Sequence, residues 1–147
     1  MHTKEDKYIR FIRLYCKLFS WRVTKPIAKT LYWLNRLVFS CDIPCSVKIG
    51  KNLHLPHFGL GVVVHPRTII GNNVKIYQQV TIGVRKPGIS STISIGNDVI
   101  LGAGCKILGC GEMSIGNNVK VGANSVVLHS VPDNVTVTGI PAKIVEK

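Results

Sequence analysis

From Ile49 onward an aliphatic residue returns at every sixth position, with three interruptions. The runs are Ile49 and Leu55; Val64, Ile70, Ile76 and Ile82; Ile95, Leu101 and Ile107; and Ile115, Val121 and Val127. Glycine follows directly at Gly50, Gly71, Gly83, Gly96, Gly102, Gly116 and Gly122. A period of six fits neither the 3.6 of a helix nor the 2 of a lone strand. Each six residues therefore read as a short strand and a corner, with the aliphatic side chain pointing into a shared core. Glycine suits the corner, and Asn72, Asn73, Asn97, Asn117 and Asn118 tolerate the same left-handed backbone. Three such faces close a coil of about eighteen residues, and coils stack as in other solenoids. The pattern predicts a mainly β fold, a parallel β-helix of about four coils at 49–64, 70–82, 95–107 and 115–127. An antiparallel sandwich is excluded, because its turns recur every 8–12 residues or so.

The interruptions carry the functional signal. Leu55 to Val64 is nine residues, so a bulge is expected near His57, Phe58 and Gly59. Ile82 to Ile95 is thirteen, predicting a loop at about 84–94, and Ile107 to Ile115 is eight, a small insertion around Cys110 and Gly111. In repeat folds such insertions mark the working face.

Before the repeats the periodicity changes. Over residues 4–22, Lys7, Arg10, Arg13 (or Leu14) and Lys17 recur at three or four, while Ile9, Ile12, Tyr15, Cys16 and Phe19 fall largely on another face, predicting a helix. Pro26 fits the start of a second helix running to about Phe39, striped by Ile27, Leu31, Leu34 and Val38. The chain thus divides into a basic amphipathic helical segment (1–40), a β-helix domain (41–130) and a C-terminal cap (131–147). Two readings of the helices stay open. In one they lie on an anionic membrane surface, with Trp21 and Trp33 at the interface. In the other they cap the open end of the first coil, which would otherwise expose core and strand edges. The second helix, with fewer charges, is the better cap, and the first the better membrane candidate.

Charge sharpens that choice. Of the 147 residues, 19 are Lys or Arg and 7 are Asp or Glu, a net +12. Residues 1–40 hold nine basic against two acidic side chains, a net +7, and the remainder ten against five, a net +5. Such a segment implies an anionic partner. Nucleic acid is disfavoured, because no recognisable binding fold accompanies it. Five cysteines (Cys16, Cys41, Cys45, Cys105, Cys110) form no CxxC pair, and no secretory leader is visible, so a reducing cytoplasm is expected. Under the membrane reading the protein attaches peripherally at the inner face of the cytoplasmic membrane. The Cys and His spacings match no common zinc site, and no metal is expected.

The stretches DIPCSVKIGKNLHLPHFGLGVVV (42–64), IIGNNVKIYQQVTIG (69–83), ISIGNDVILGAGCKILG (93–109) and MSIGNNVKVGANSVVLHSVPDNVTVTGIPAKIV (113–145) resemble the hexapeptide-repeat acyltransferases. The similarity lies in the branch of serine acetyltransferases and polysaccharide O-acetyltransferases of the colanic acid type. It implies a left-handed β-helix, a homotrimer with sites between neighbouring prisms, and acetyl-CoA as acetyl donor. It implies that His57 is the general base and Asp42 the acid that orients it, with direct transfer and no covalent enzyme intermediate. Imidazole suits that role because it titrates near neutrality. Small corner residues, Gly83, Gly102, Ala103, Gly122 and Ala123, leave room for the pantetheine arm, and the resemblance places Ala103 and Ala123 against it. Lys143 occupies a position that is basic in the family and suits the adenosine phosphates.

The acceptor is read from departures. Pro56 stands where serine acetyltransferases carry an Asp, and Ser90, Ser91, Thr92 and Ile93 stand where they carry Asp-Arg-His-Pro. A zwitterion needs a cation and an anion to replace water. Neutral hydroxyls at Ser90, Ser91 and Thr92 point instead to a sugar hydroxyl of a capsular, exo- or O-antigen polysaccharide or its precursor. L-serine is the alternative acceptor, and a non-catalytic binding module the alternative class.

Overall fold

The computed structural model describes residues 7–145. The expected helix start at residues 4–6 and the last two residues of the expected cap lie outside that range. Two helices come first, α1 (Lys7–Phe19) and α2 (Lys25–Phe39). Then β1 (Lys48–Ile49), a 3-10 turn (Pro56–Gly59) and β2 (Val63–Val64) make the first coil. The second holds β3 (Thr68–Ile70), β4 (Lys75–Ile76) and β5 (Thr81–Val84). The third holds β6 (Thr92–Ile95), β7 (Ile100–Leu101) and β8 (Lys106–Gly109), and the fourth β9 (Glu112–Ile115), β10 (Lys120–Val121) and β11 (Val126–Val127). The chain ends in β12 (Thr136–Gly139) and β13 (Ala142–Ile144).

The coils visit three sheets in rotation. The first sheet is β1-β3-β6-β9, the second β4-β7-β10-β12-β13 and the third β2-β5-β8-β11. Every strand pair is parallel except β12–β13. The period of six becomes vertical stacking. Ile49, Ile70, Ile95 and Ile115 lie in register; so do Ile76, Leu101, Val121 and Val137, and Val64, Ile82, Ile107 and Val127. All but Ile49 are buried, and each buried side chain contributes roughly 1.5–3 kcal/mol. At the corners the coils touch through backbone: a Cβ on Gly96 would sit 2.7 Å from the carbonyl carbon and oxygen of Gly116. Beside them the Asn72 amide N–H donates to Asn97, Asn97 to Asn117, and Asn117 to Asp133, one link per coil.

The capping role expected of the second helix falls to the first. α1 is the cap: Tyr8, Ile9, Ile12 and Tyr15 are buried, and Arg13 donates to the Ile49 and Gly50 carbonyls at 3.3 and 2.5 Å. α2 packs along α1 and buries only Ala28 and Asn35 fully. Asn35 accepts from the Tyr8 hydroxyl at 2.7 Å and donates to the Cys41 carbonyl at 3.0 Å. Of its apolar stripe only Leu31 packs against the core; Ile27, Leu34 and Val38 face solvent. A disulfide joins Cys16 of α1 to Cys45, 29 residues away, with 5.0 Å between Cα atoms. Among the described residues no helix is long and apolar enough to cross a membrane.

Candidate functional site

The bulge at His57 exists because both its ends are anchored. Leu55 and Val62 are buried, and the residues between them exceed what one coil needs, so the backbone folds into the turn Pro56–Gly59. His57 and Phe58 both adopt φ 56° and Gly59 φ 65°. For a residue with a Cβ this left-handed backbone costs about 1–2 kcal/mol. Such conformations persist only where the surroundings hold them, often at functional sites. Here Leu60 N–H donates to the His57 carbonyl at 3.2 Å and Gly61 N–H to Ser40 at 3.1 Å. The Phe58 ring packs edge-on to Tyr8 at 5.8 Å and against Phe39 at 5.5 Å. The helices therefore hold the turn, and the His57 side chain is exposed.

Asp42 lies beside this turn, its backbone bridged to Val63, with Asp42 N–H donating to Val62 at 2.8 Å and Val64 N–H to Asp42 at 2.9 Å. Its carboxylate faces α2 instead of His57: Oδ1 accepts from the Tyr32 hydroxyl at 2.5 Å, and Oδ2 lies 3.5 Å from Arg36. The expected Asp42–His57 hydrogen bond is thus not formed, because the helical segment supplies the carboxylate with partners of its own. Burial, and then the bond to Asp42, raise the Tyr32 pKa, so the hydroxyl stays a donor.

The edge between the second and third sheets gathers several candidates. Successive coils present residues 57–61, 77–79, 102–104 and 122–124 there, joined by Gln79 N–H to Leu60 (2.8 Å), Gly104 N–H to Gln78 (2.9 Å) and Asn124 N–H to Ala103 (2.8 Å). His57, Ala103 and Ala123 therefore share one edge. Sequence reasoning missed Gln78 on it, whose buried Oε1 has no hydrogen-bond partner. The two roles of the small residues also separate, with Gly83 lying away from this edge, beyond Ile82 on β5. A Cβ on Gly102 would lie 2.7 Å from Ala123 N and Val121 O, and one on Gly122 would lie 2.8 Å from Thr138 Oγ1, so the fold itself excludes a side chain. On Gly83 the nearest atoms would be side-chain carbons at 3.6 and 3.7 Å, ordinary contacts, so the fold leaves that space open. Lys143 is exposed on β13, paired with Thr138 on the second sheet.

The remaining candidates occupy the opposite edge of the third sheet. The strands reach further into the expected 84–94 loop, to Val84 and back to Thr92. Ser90 is exposed, whereas Ser91 points inward: it is 2% exposed, and its hydroxyl accepts from Gly111 N–H at 3.1 Å. Its hydroxyl serves the turn and is withdrawn from the expected acceptor segment. Thr92 pairs with Glu112. Arg67, 23 residues from Ser90 in sequence, donates to the Ser90 hydroxyl. A cation and an anion therefore flank a stretch that reads as neutral in sequence. Residues 62–66 separate this edge from His57; at about 3.3 Å each they span roughly 16 Å. Among the described residues no group of three or more His, Cys, Asp or Glu is placed to hold a metal.

No protein-family model matches the chain. It is 45% identical over 121 residues to the serine acetyltransferase of Staphylococcus epidermidis strain RP62A, covering 82% of this chain and 55% of that protein. Among solved structures, Brucella abortus serine acetyltransferase in complex with coenzyme A superposes with a TM-score of 0.83 at 36% identity, over 95% of this chain and 54% of that one. Neisseria gonorrhoeae serine acetyltransferase in complex with serine gives 0.81 at 35% identity, over 95% and 55%. The chain thus spans about half the length of the relatives it matches. These relatives overturn the expectation of a polysaccharide acceptor, and the cation at Ser90 removes its physical premise. Over the 121 matched residues the chain is a homologue of these serine acetyltransferases.

Proposed function

We propose that the chain is an acetyl-CoA-dependent O-acetyltransferase with L-serine as acceptor, built on a left-handed β-helix. The observation that carries this reading is the exposed His57 imidazole on an anchored, left-handed turn, at the head of an edge continued by Ala103 and Ala123. The thioester of acetyl-CoA lies along that edge, with the arm against Ala103 and Ala123 and, across the interface between copies, against Gly83 of a neighbouring copy, and Lys143 near the phosphates. His57 removes the proton from the serine hydroxyl as its oxygen attacks the thioester carbonyl. The tetrahedral intermediate collapses, the C–S bond breaks, and the imidazolium returns its proton to the departing thiolate. Asp42, bridged to Val63 beside the turn, stabilises the transient imidazolium by its charge. Arg67 meets the serine carboxylate and Glu112 its ammonium, which supplies the paired charges a zwitterion requires. These groups lie across the third sheet from His57 in one protomer. They reach the base of a neighbouring copy, and the working unit is a homotrimer.

The test is thiol release from acetyl-CoA with L-serine, with O-acetylserine identified by mass spectrometry. Serine-dependent release that disappears in His57→Ala, at an unchanged melting temperature, is the expected result. Full activity in that variant, or no serine-dependent release from a protein that binds CoA, refutes the reading.

A further inference from the structure

The outward face of α2 has the wrong character for a helix facing water. A surface helix turns its polar side outward. Here Ile27, Leu34, Leu37 and Val38 recur at intervals of one, three and seven and face solvent, with Leu37 81% exposed. The turn before α2 continues the surface: Trp21 is 68% and Val23 89% exposed. Patches of this kind on soluble monomers mark interaction sites.

What covers the patch is indicated by its charge. Residues 7–39 contain eight Lys or Arg and no Asp or Glu. Arg22, Lys25 and Lys29 are exposed beside the apolar face, and Lys7, Arg10 and Lys17 line the outer side of α1. Lys25 lies over the Phe19 ring at 5.5 Å and Arg36 over Trp33 at 5.1 Å, so cations and aromatic rings share one surface. Two copies meeting through this face would bring like charges together, which opposes self-association. A bilayer with anionic headgroups meets both features at once: the aliphatic side chains enter the acyl boundary, Trp rings suit the interface, and Lys and Arg reach back to phosphates.

We propose that the outer face of α2, with the turn 20–24, docks on an anionic phospholipid surface. This does not depend on the acetyltransferase reading. Docking leaves the opposite side of α2 in place, where Tyr32 and Asn35 hold the first coil.

The full chain is floated with vesicles of phosphatidylcholine alone and of phosphatidylcholine mixed with phosphatidylglycerol. Binding to the mixed vesicles only, weakened by salt and accompanied by a blue shift of Trp fluorescence, is expected. Ile27→Glu with Leu37→Glu abolishes it at an unchanged melting temperature. Lys25→Gln and Lys29→Gln each weaken partitioning roughly fivefold. Equal binding to both vesicle types, binding to neither, or retention by the double Glu variant overturns the proposal. So does lipid-free self-association, or binding of a DNA fragment in place of vesicles, that the double variant abolishes.

Discussion

Gly83 and Gly102 look alike in sequence, each following an aliphatic residue of the repeat, yet their substitution by Ala is expected to have opposite effects. At Gly102 the new Cβ falls 2.7 Å from two backbone atoms of the next coil and 2.9 Å from a third. Comfortable carbon contacts begin near 3.5 Å, so the coils must part by about 0.8 Å. They are held by a ladder bond from Gly102 N–H to Val121 at 2.9 Å, and neither atom belongs to a flexible side chain. Overpacking of this kind costs about 1–3 kcal/mol, a fall in Tm of about 3–12 °C at this chain length. At Gly83 the Cβ finds ordinary contacts at 3.6 and 3.7 Å. Gly→Ala at a compatible backbone stabilises by about 0.4–1 kcal/mol through the unfolded chain, so Tm is unchanged or slightly raised. If the pantetheine arm occupies the open space above Gly83, as proposed, filling it weakens CoA binding at least about tenfold, or 1.4 kcal/mol. Thermal melts and calorimetric CoA titration of the two variants separate the effects. A Gly83→Ala protein that melts like Gly102→Ala shows that the space argument is wrong, and one that binds CoA like the parent removes Gly83 from the groove.

Three further outcomes are expected. Tyr32→Phe removes the 2.5 Å bond to Asp42 and lowers stability by about 1 kcal/mol in urea melts; if Asp42 acts on His57, kcat changes while the KM for acetyl-CoA does not, whereas unchanged kcat excludes that coupling. Reduction of Cys16–Cys45, or Cys16→Ser, releases a 29-residue separation and costs about 3–4 kcal/mol in the unfolded-chain entropy account, and dithiothreitol leaves the melt of the Ser variant unchanged. Burial pushes the Cys41 thiol up to about 11 and the Cys105 thiol to about 12 from an ordinary 9.0. The unfolded chain therefore loses these protons first, so their contribution is intact below pH 9 and is lost as pH rises through 11–12; a urea midpoint that rises over this alkaline range contradicts it.

The repeat was legible because stacking converts spacing directly into contact: Ile70, Ile95 and Ile115 are one column, so the core had to show as a period. The His57 bulge was legible for the same reason, as residues left over between two buried anchors. What escaped is pairing between distant positions whose residue types are individually unremarkable. Arg67 and Ser90 are 23 apart, Cys16 and Cys45 29 apart, and Tyr8 reaches Asn35 across 27. Nothing periodic connects them. Amphipathicity revealed that each helix has an apolar face, but which face meets the coil depends on shape. Ala28 and Asn35 let α2 approach α1 closely, and that choice turned the larger side chains outward.

A stack of parallel coils has no natural end, because each terminal coil is a template for another of the same direction. β13 pairs with β12 antiparallel and lies at the margin of the second sheet, so an incoming coil meets a strand of opposite polarity there. At the other margin Arg13 already occupies the carbonyls of Ile49 and Gly50. Both features oppose lengthening of the repeat, copy upon copy, into a filament, although most of the interior is built to be continued.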